Sequence, residues 1–402
     1  MKPIEVGVIG LGNFARRQHL PNLSRILEAR IRGVCDINPD LTEAIRAKYG
    51  AHRGYTDYRK LLEDPLVEAV VVAVRDNLQA EVAAAALRAG KHVYVEKPLG
   101  QTPEQFEAVA EAVRESGLRL AVGFNKRFAP IYRRMREIAR SDGGPRNMHL
   151  RMADDAWRWA VGYPPGFMMK LDVCHFFDLL RWFTGGEIES VYCASSRPDD
   201  DAVLVQMSNG TVATILFSGH GTMDMPKERI DIITERGGLS AEDYVELRTF
   251  GYTAYDPVYT FPGHSNPDGE FMHRYLMGKL GMPVWSAIRR MTWELRIRTG
   301  MDPGTPQAKV REEGGTGAGD LEGTEAPGLS GDPYMEEARR FAVATIPNFM
   351  RGQGWMDSLR AFLAGIANNL PTAHAGVEDA EKAALAAAAA EKSRETSEVV
   401  RL

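Results

Sequence analysis

The turn Gly10-Leu11-Gly12-Asn13-Phe14-Ala15 constrains this chain more than any other feature, because of what flanks it. It comes after Ile4 to Ile9, a run rich in β-branched residues that reads as a buried strand, and it opens a helical pattern. Gly10 permits the tight turn, Gly12 lets a backbone approach a pyrophosphate, and Ala15 replaces a third glycine while still allowing helix to pack on strand. The helix start offers N–H donors and a positive dipole end to phosphate oxygens. The helical pattern runs to about Leu27, with a kink expected at Pro21.

The next residues extend the unit. Ile31 to Cys35 reads as a second strand, and Asp36 at its end has the spacing of a ribose-binding acid. A carboxylate there accepts bonds from ribose hydroxyls and repels a 2′-phosphate, which favours NAD over NADP. The competing reading is that Asp36 caps the Asn38-Pro39 turn. Helices are expected at Pro39 to Tyr49 (capped by Asn38), Gln79 to Ala89 and Thr102 to Ser116. Strands are expected at Val67 to Val74, His92 to Val95 and Arg119 to Val122. This alternation predicts a doubly wound parallel α/β sheet, a Rossmann-type nucleotide-binding domain over residues 1–126.

Residues 127–402 change character. A helix expected from Asp172 to Phe183 leads into strand-like runs without intervening helices: Ile188 to Ser195, Ala202 to Met207, Val212 to Ser218, Arg229 to Thr234 and Tyr244 to Phe250. Asn209-Gly210 is a hairpin turn signal between two of them. Helical patterns return at Tyr334 to Phe349, Met356 to Asn368 and Val377 to Ala390. The second domain is therefore expected to be α+β with a mostly antiparallel sheet. Residues 299–332, rich in Gly, Pro and acids, read as a disordered insert.

The formal net charge of −5, with no basic stripe, argues against a nucleic-acid partner. The three cysteines, Cys35, Cys174 and Cys193, form no Cys-x-x-Cys pair, so neither a disulfide framework nor a zinc ribbon is expected and a reducing cytoplasm fits. No run is long enough to cross a membrane.

Glu96-Lys97-Pro98 comes directly after a strand whose carboxyl end should line the ligand crevice, so Lys97 is a candidate to hold a hydroxyl or relay a proton. Asp172 and His175, at i and i+3, should share a helix face, and histidine is the usual acid–base group near neutral pH. Each motif has a plainer alternative: a surface lysine before a helix, and an N-terminal acid beside a core histidine. No metal site is expected, because Asp178 falls off that face and no other ligand cluster is evident.

Together these pieces resemble the Gfo/Idh/MocA oxidoreductases. The resemblance rests on the Gly10–Ala15 loop, Ala89-Gly90-Lys91-His92-Val93 leading into Glu96-Lys97-Pro98-Leu99, Gly123-Phe124-Asn125, Asp172 to Trp182, and the closing stretches Asp357 to Pro371 and Gly376 to Ala380. It implies NAD(P) and hydride transfer at a sugar or cyclitol carbon, with Lys97, Asp172 and His175 as the catalytic set: His175 the base, Lys97 a positioning and relay group, Asp172 a ligand for a neighbouring hydroxyl. It also implies that Gly10, Gly12, Asn13, Phe14, Ala15, Asp36, Ala73, Val74, Glu96, Lys97 and Asn125 line the cofactor, and that the second sheet builds a homodimer or homotetramer. Trp157, Arg158 and Trp159 are candidates to border the substrate, with ordinary packing as the alternative. The chain departs from the family where Thr-Pro is usual and Val74-Arg75-Asp76-Asn77 stands, with Gln79 in place of a later histidine. Two other readings stay open: a redox-neutral glycosidase or epimerase that uses NAD transiently, and a non-catalytic dinucleotide sensor.

Overall fold

The structure, a computed structural model, describes residues 3–154, 156, 162–221, 225–244, 246–260 and 352–402. The expected insert at 299–332, the helical pattern at Tyr334 to Phe349, and Trp157, Arg158 and Trp159 lie outside the described residues. The chain falls into two units: Met1–Ala129 with Lys170–Leu179 and Gly354–Ala388, and Pro130–Met169 with Leu180–Gln353 and Ala389–Leu402.

The first unit is built on six parallel strands: β1 (Ile4–Ile9), β2 (Ala29–Cys35), β3 (Arg53–Tyr55), β4 (Ala69–Val72), β5 (His92–Val95) and β6 (Leu120–Val122). Their order is β3-β2-β1-β4-β5-β6, so the chain reverses its winding direction beside β1. Every residue of β1 and β4 is buried, as apolar runs covered by helices on both faces require. On one face Val6, Val8, Leu11, Val34 and Val71 pack with Leu359, Phe362 and Leu363. Those last three come from the Trp355–Asn368 helix, more than 200 residues beyond β6. Each contributes about 1.5–3 kcal/mol by leaving water, so this late helix belongs to the Rossmann core.

Asn38 caps the Pro39–Tyr49 helix as expected, its Oδ1 accepting from the N–H groups of Asp40 and Leu41. The helix after the glycine turn differs from expectation. Residues Ala15–His19 form a π turn, with the Leu20 N–H on the Ala15 carbonyl five residues back, and a short α segment comes next at Leu20–Leu23. Pro21 has no N–H to give, so the i→i−4 ladder cannot run through it.

The second unit holds a nine-stranded sheet in the order β14-β13-β12-β11-β7-β10-β9-β8-β15. Its strands are β7 (Asn147–Ala153), β8 (Ile188–Arg197), β9 (Asp200–Met207), β10 (Val212–Ser218), β11 (Glu228–Ile233), β12 (Gly238–Glu242), β13 (Glu246–Phe250), β14 (Val258–Thr260) and β15 (Val400–Arg401). All neighbours are antiparallel except β7 and β10. One face is apolar and buried through Val203, Val205, Ala213, Ile215, Phe217, Ile230 and Ile232. The alternate residues Tyr192, Leu204, Leu216 and Ile233 point outward and remain exposed. No described helix is long and apolar enough to cross a membrane.

Candidate functional site

Gly10 sits at φ +89°, with its N–H on the Cys35 carbonyl at 2.8 Å. A Cβ there would stand 2.3 Å from the Ala73 carbonyl oxygen, so the end of β4 presses on this turn and only glycine fits. At Gly12 a Cβ would meet nothing within 4 Å: the protein leaves that space open. The helical turn starts at Asn13, and its first N–H groups have no intrahelical acceptors. Open space beside a helix N-terminus fits a dinucleotide's pyrophosphate.

Asp36 caps the turn, one of the two readings that the sequence offers, and also ties down the glycine loop. Its Oδ2 accepts the Leu11 N–H at 2.8 Å, locking the loop, and its Oδ1 accepts the Asn38 N–H at 3.0 Å, capping the turn. Lone pairs remain on both oxygens for ribose hydroxyls. Asn13 accepts a bond from Arg16 at 2.7 Å. Phe14 is 38% exposed, and its ring meets His19 and Trp355 edge-on at 5.3 and 5.6 Å. Ala73 and Val74 come directly after β4, and the Ala73 N–H bonds to the Ile9 carbonyl at 2.8 Å.

Lys97 leaves the end of β5 and donates from Nζ to the carbonyl oxygen of Leu171. That contact brings the lysine to the residue just before Asp172 and four before His175. Asp172 does not lie in a regular α-helix, contrary to expectation. Met169–Val173 form a π turn, and the α-helix begins at Cys174 and runs to Thr184. The Leu171 carbonyl also accepts a weak bond from Cys174 Sγ at 3.6 Å. Single π turns recur at functional sites because they re-aim side chains.

Burial pushes the Cys174 thiol up to about 11, and Lys97, Asp172, Lys126 and Asp178 all bear on it electrostatically. The same cause pushes Cys35 and Cys193 up to about 12, so none of the three is a reactive thiolate at neutral pH. His175 is 4% exposed, and Phe124 stands edge-on to its ring at 5.4 Å. Asn125 and Lys126 are buried beside Phe124, with Lys126 Nζ 5.0 Å from the centre of the Phe176 ring. Glu96 is buried under Gly123, where a Cβ would stand 2.8 Å from Glu96 Oε2.

Four features are not anticipated from the sequence. His19 lies against Glu96 at 2.9 Å. Arg127 donates to Asp178 through Nε at 2.8 Å and through a second nitrogen, and also lies 3.2 Å from Asp379. Asp76 opens the Asp76–Arg88 helix; burial raises its carboxyl, and Lys97 acts against that shift. Gln79, one turn on, is buried with its Oε1 lacking a hydrogen-bond partner among the described residues. The i,i+3 relations Asp76/Gln79 and His175/Asp178 were visible signals, but the partner strands and loops were not.

Residues 4–124 match a family model described as the GFO/IDH/MocA oxidoreductase family, NAD-binding Rossmann fold, and residues 136–240 match the GFO/IDH/MocA C-terminal domain. The chain is 26% identical over 265 residues to a myo-inositol 2-dehydrogenase of Thermotoga maritima, covering 60% of this chain and 76% of that protein. It is 31% identical over 264 residues to inositol 2-dehydrogenase 2 of Saccharopolyspora erythraea, covering 61% and 75%. A scyllo-inositol dehydrogenase from Lactobacillus casei, solved with NAD(H) and scyllo-inositol, shares the fold at a TM-score of 0.67 and 18% identity, covering 100% of this chain and 99% of that one.

Proposed function

The chain belongs to the Gfo/Idh/MocA oxidoreductase family and carries its NAD-binding Rossmann fold, and on that premise we propose that it transfers a hydride between NAD and a ring carbon of a cyclitol or sugar. The observation that carries this reading is the bond from Lys97 to the Leu171 carbonyl, one residue before Asp172 and four before His175 in the chain. NAD, when bound, supplies the nicotinamide carbon that takes or returns the hydride. The rest falls to the protein. Gly10, Gly12 and the N–H groups of Asn13, Phe14 and Ala15 cradle the pyrophosphate, and Asp36 accepts from the ribose. Ala73, Val74, Glu96 and Asn125 wall the nicotinamide end.

His175 accepts the proton of the reacting hydroxyl as the hydride leaves its carbon, and returns it in the reverse direction. Lys97 donates to the same oxygen and stabilises the charge that develops there. Asp172 accepts from a neighbouring hydroxyl and fixes which ring carbon is presented. The exposed row Tyr192, Leu204 and Leu216 on the second unit's sheet supports self-association as a homodimer or homotetramer.

The test is absorbance at the reduced-nicotinamide band, with purified protein, NAD or NADP, and a panel of inositol stereoisomers, sugars and sugar derivatives. Growth of the band with NAD and one cyclitol or sugar is the expected result. A flat trace across the panel, with NAD binding shown separately by calorimetry, overturns net hydride transfer to these substrates.

A further inference from the structure

His19 is fully buried in the turn that comes after the glycine loop, where an apolar side chain would pack as well. Its Nε2 lies 2.9 Å from Glu96 Oε1, with side-chain exposures of 0% and 8%. The pair does not have the geometry of a hydrogen bond, and neither ring nitrogen nor Oε1 has a hydrogen-bond partner among the described residues. The contact is therefore a close polar pairing held by its surroundings. Phe14 and Tyr94 meet the imidazole edge-on at 5.3 and 5.8 Å. The other Glu96 oxygen accepts the Lys97 N–H at 3.3 Å and fills the space that Gly123 leaves by lacking a side chain. A continuous path thus runs from Phe14 on the loop, through His19 and Glu96, to the backbone of Lys97.

We propose that His19 is a positioning residue for Lys97: by holding the Glu96 carboxyl group, it fixes the direction in which the strand end presents the lysine, and couples that direction to the glycine loop. The inference rests on the reading of Lys97 as the group that contacts the reacting oxygen. Stability does not explain the pair, since a buried polar pair is commonly no better for folding than apolar side chains of the same volume. Geometry does, since a shift of about 1 Å in a positioned group costs on the order of a hundredfold in rate.

The experiment compares His19→Leu, His19→Gln, Glu96→Gln and the double variant His19→Leu/Glu96→Gln, with Lys97→Ala alongside. Three quantities are read: kcat with the substrate that the panel identifies, the NAD dissociation constant by calorimetry, and the rate at which acetic anhydride modifies Lys97, tracked by peptide mass spectrometry in protein without substrate. His19→Leu is expected to lower kcat by about ten- to a hundredfold, with the NAD dissociation constant moving less than about threefold. The Lys97 modification rate should change severalfold while other lysines keep theirs. His19→Gln, which keeps a polar side chain against Glu96, should recover most of the loss. In the Glu96→Gln background, His19→Leu should add little, because the two act as one unit.

Unchanged Lys97 modification and kcat in His19→Leu overturn the inference. So does a loss confined to NAD affinity, or one that glutamine does not recover, which is the mark of packing alone. If His19→Leu does not fold, Glu96→Gln decides by the same Lys97 modification rate. Lys97→Ala with full turnover sinks the underlying reading and the inference with it; Lys97→Ala inactive beside a normal His19→Leu sinks the inference only.

Discussion

Alanine at Gly12 and alanine at Gly10 should do opposite things, although the two glycines are two residues apart in one loop. At Gly12 a methyl group enters space that the protein leaves empty, and the backbone there is not in the left-handed region. Folding should be unaffected or gain about 0.4–1 kcal/mol, because alanine narrows the unfolded ensemble. The methyl group then occupies the room through which a pyrophosphate approaches the backbone. NAD affinity is expected to fall ten- to a hundredfold, about 1.4–2.8 kcal/mol. At Gly10 the methyl group would lie 2.3 Å from the Ala73 carbonyl oxygen and 2.7 Å from its carbon, at φ +89°. The backbone strain costs about 1–3 kcal/mol, and forcing β4 and the turn apart costs about 1–3 kcal/mol more. Gly10→Ala should therefore lower the melting temperature of the first unit before any cofactor is added. The assay is thermal unfolding without NAD, then calorimetric titration with NAD. Wild-type NAD affinity in Gly12→Ala, or wild-type stability in Gly10→Ala, would refute the reasoning for that residue.

Asp36→Ala removes the acceptor of the Leu11 N–H as well as the ribose contact. It should weaken NAD more than NADP in parallel titrations, and an equal loss for both removes the ribose argument. Lys97→Ala should abolish NADH production while calorimetry finds NAD affinity largely intact. Arg127→Met leaves Asp178, 1% exposed, without its bidentate partner; denaturant unfolding should show a loss of about 3–5 kcal/mol, and Arg127→Met with Asp178→Leu should recover most of it. Burial lowers the His374 imidazole to about 4, and its Nδ1 is enclosed without a hydrogen-bond partner among the described residues. The folded state then binds fewer protons than the unfolded chain between about pH 6.5 and 4, so this stability is full above that window and is lost as pH falls through it. The loss is about 3 kcal/mol, and urea titrations of His374→Gln should show a flatter profile than wild type across that range.

Much of this protein is determined by short stretches of sequence. β1, β5 and β10 are bounded as their apolar patterns predict, because a strand covered on one or both faces leaves a strong local signature. The Pro39–Tyr49 helix carries its own cap in Asn38, and Gly10, Gly12 and Asp36 mark the nucleotide turn at fixed spacing. Other elements were written too faintly. β3 has three residues, and β7 hides Met148, Leu150 and Met152 between Asn147, His149 and Arg151, which face the other way. What only the tertiary structure decided is what depends on distant partners. The π turn before Cys174 exists where Lys97 and Cys174 draw on one carbonyl, 74 residues from Lys97 in sequence. Leu359 and Phe362 complete the core of a sheet whose strands end by Val122, and Glu96 meets His19 because Gly123 leaves it room. Local pattern fixes which residues prefer strand, helix or turn. Which side chains meet in a site depends on how those elements pack, and no window of neighbouring residues contains that information.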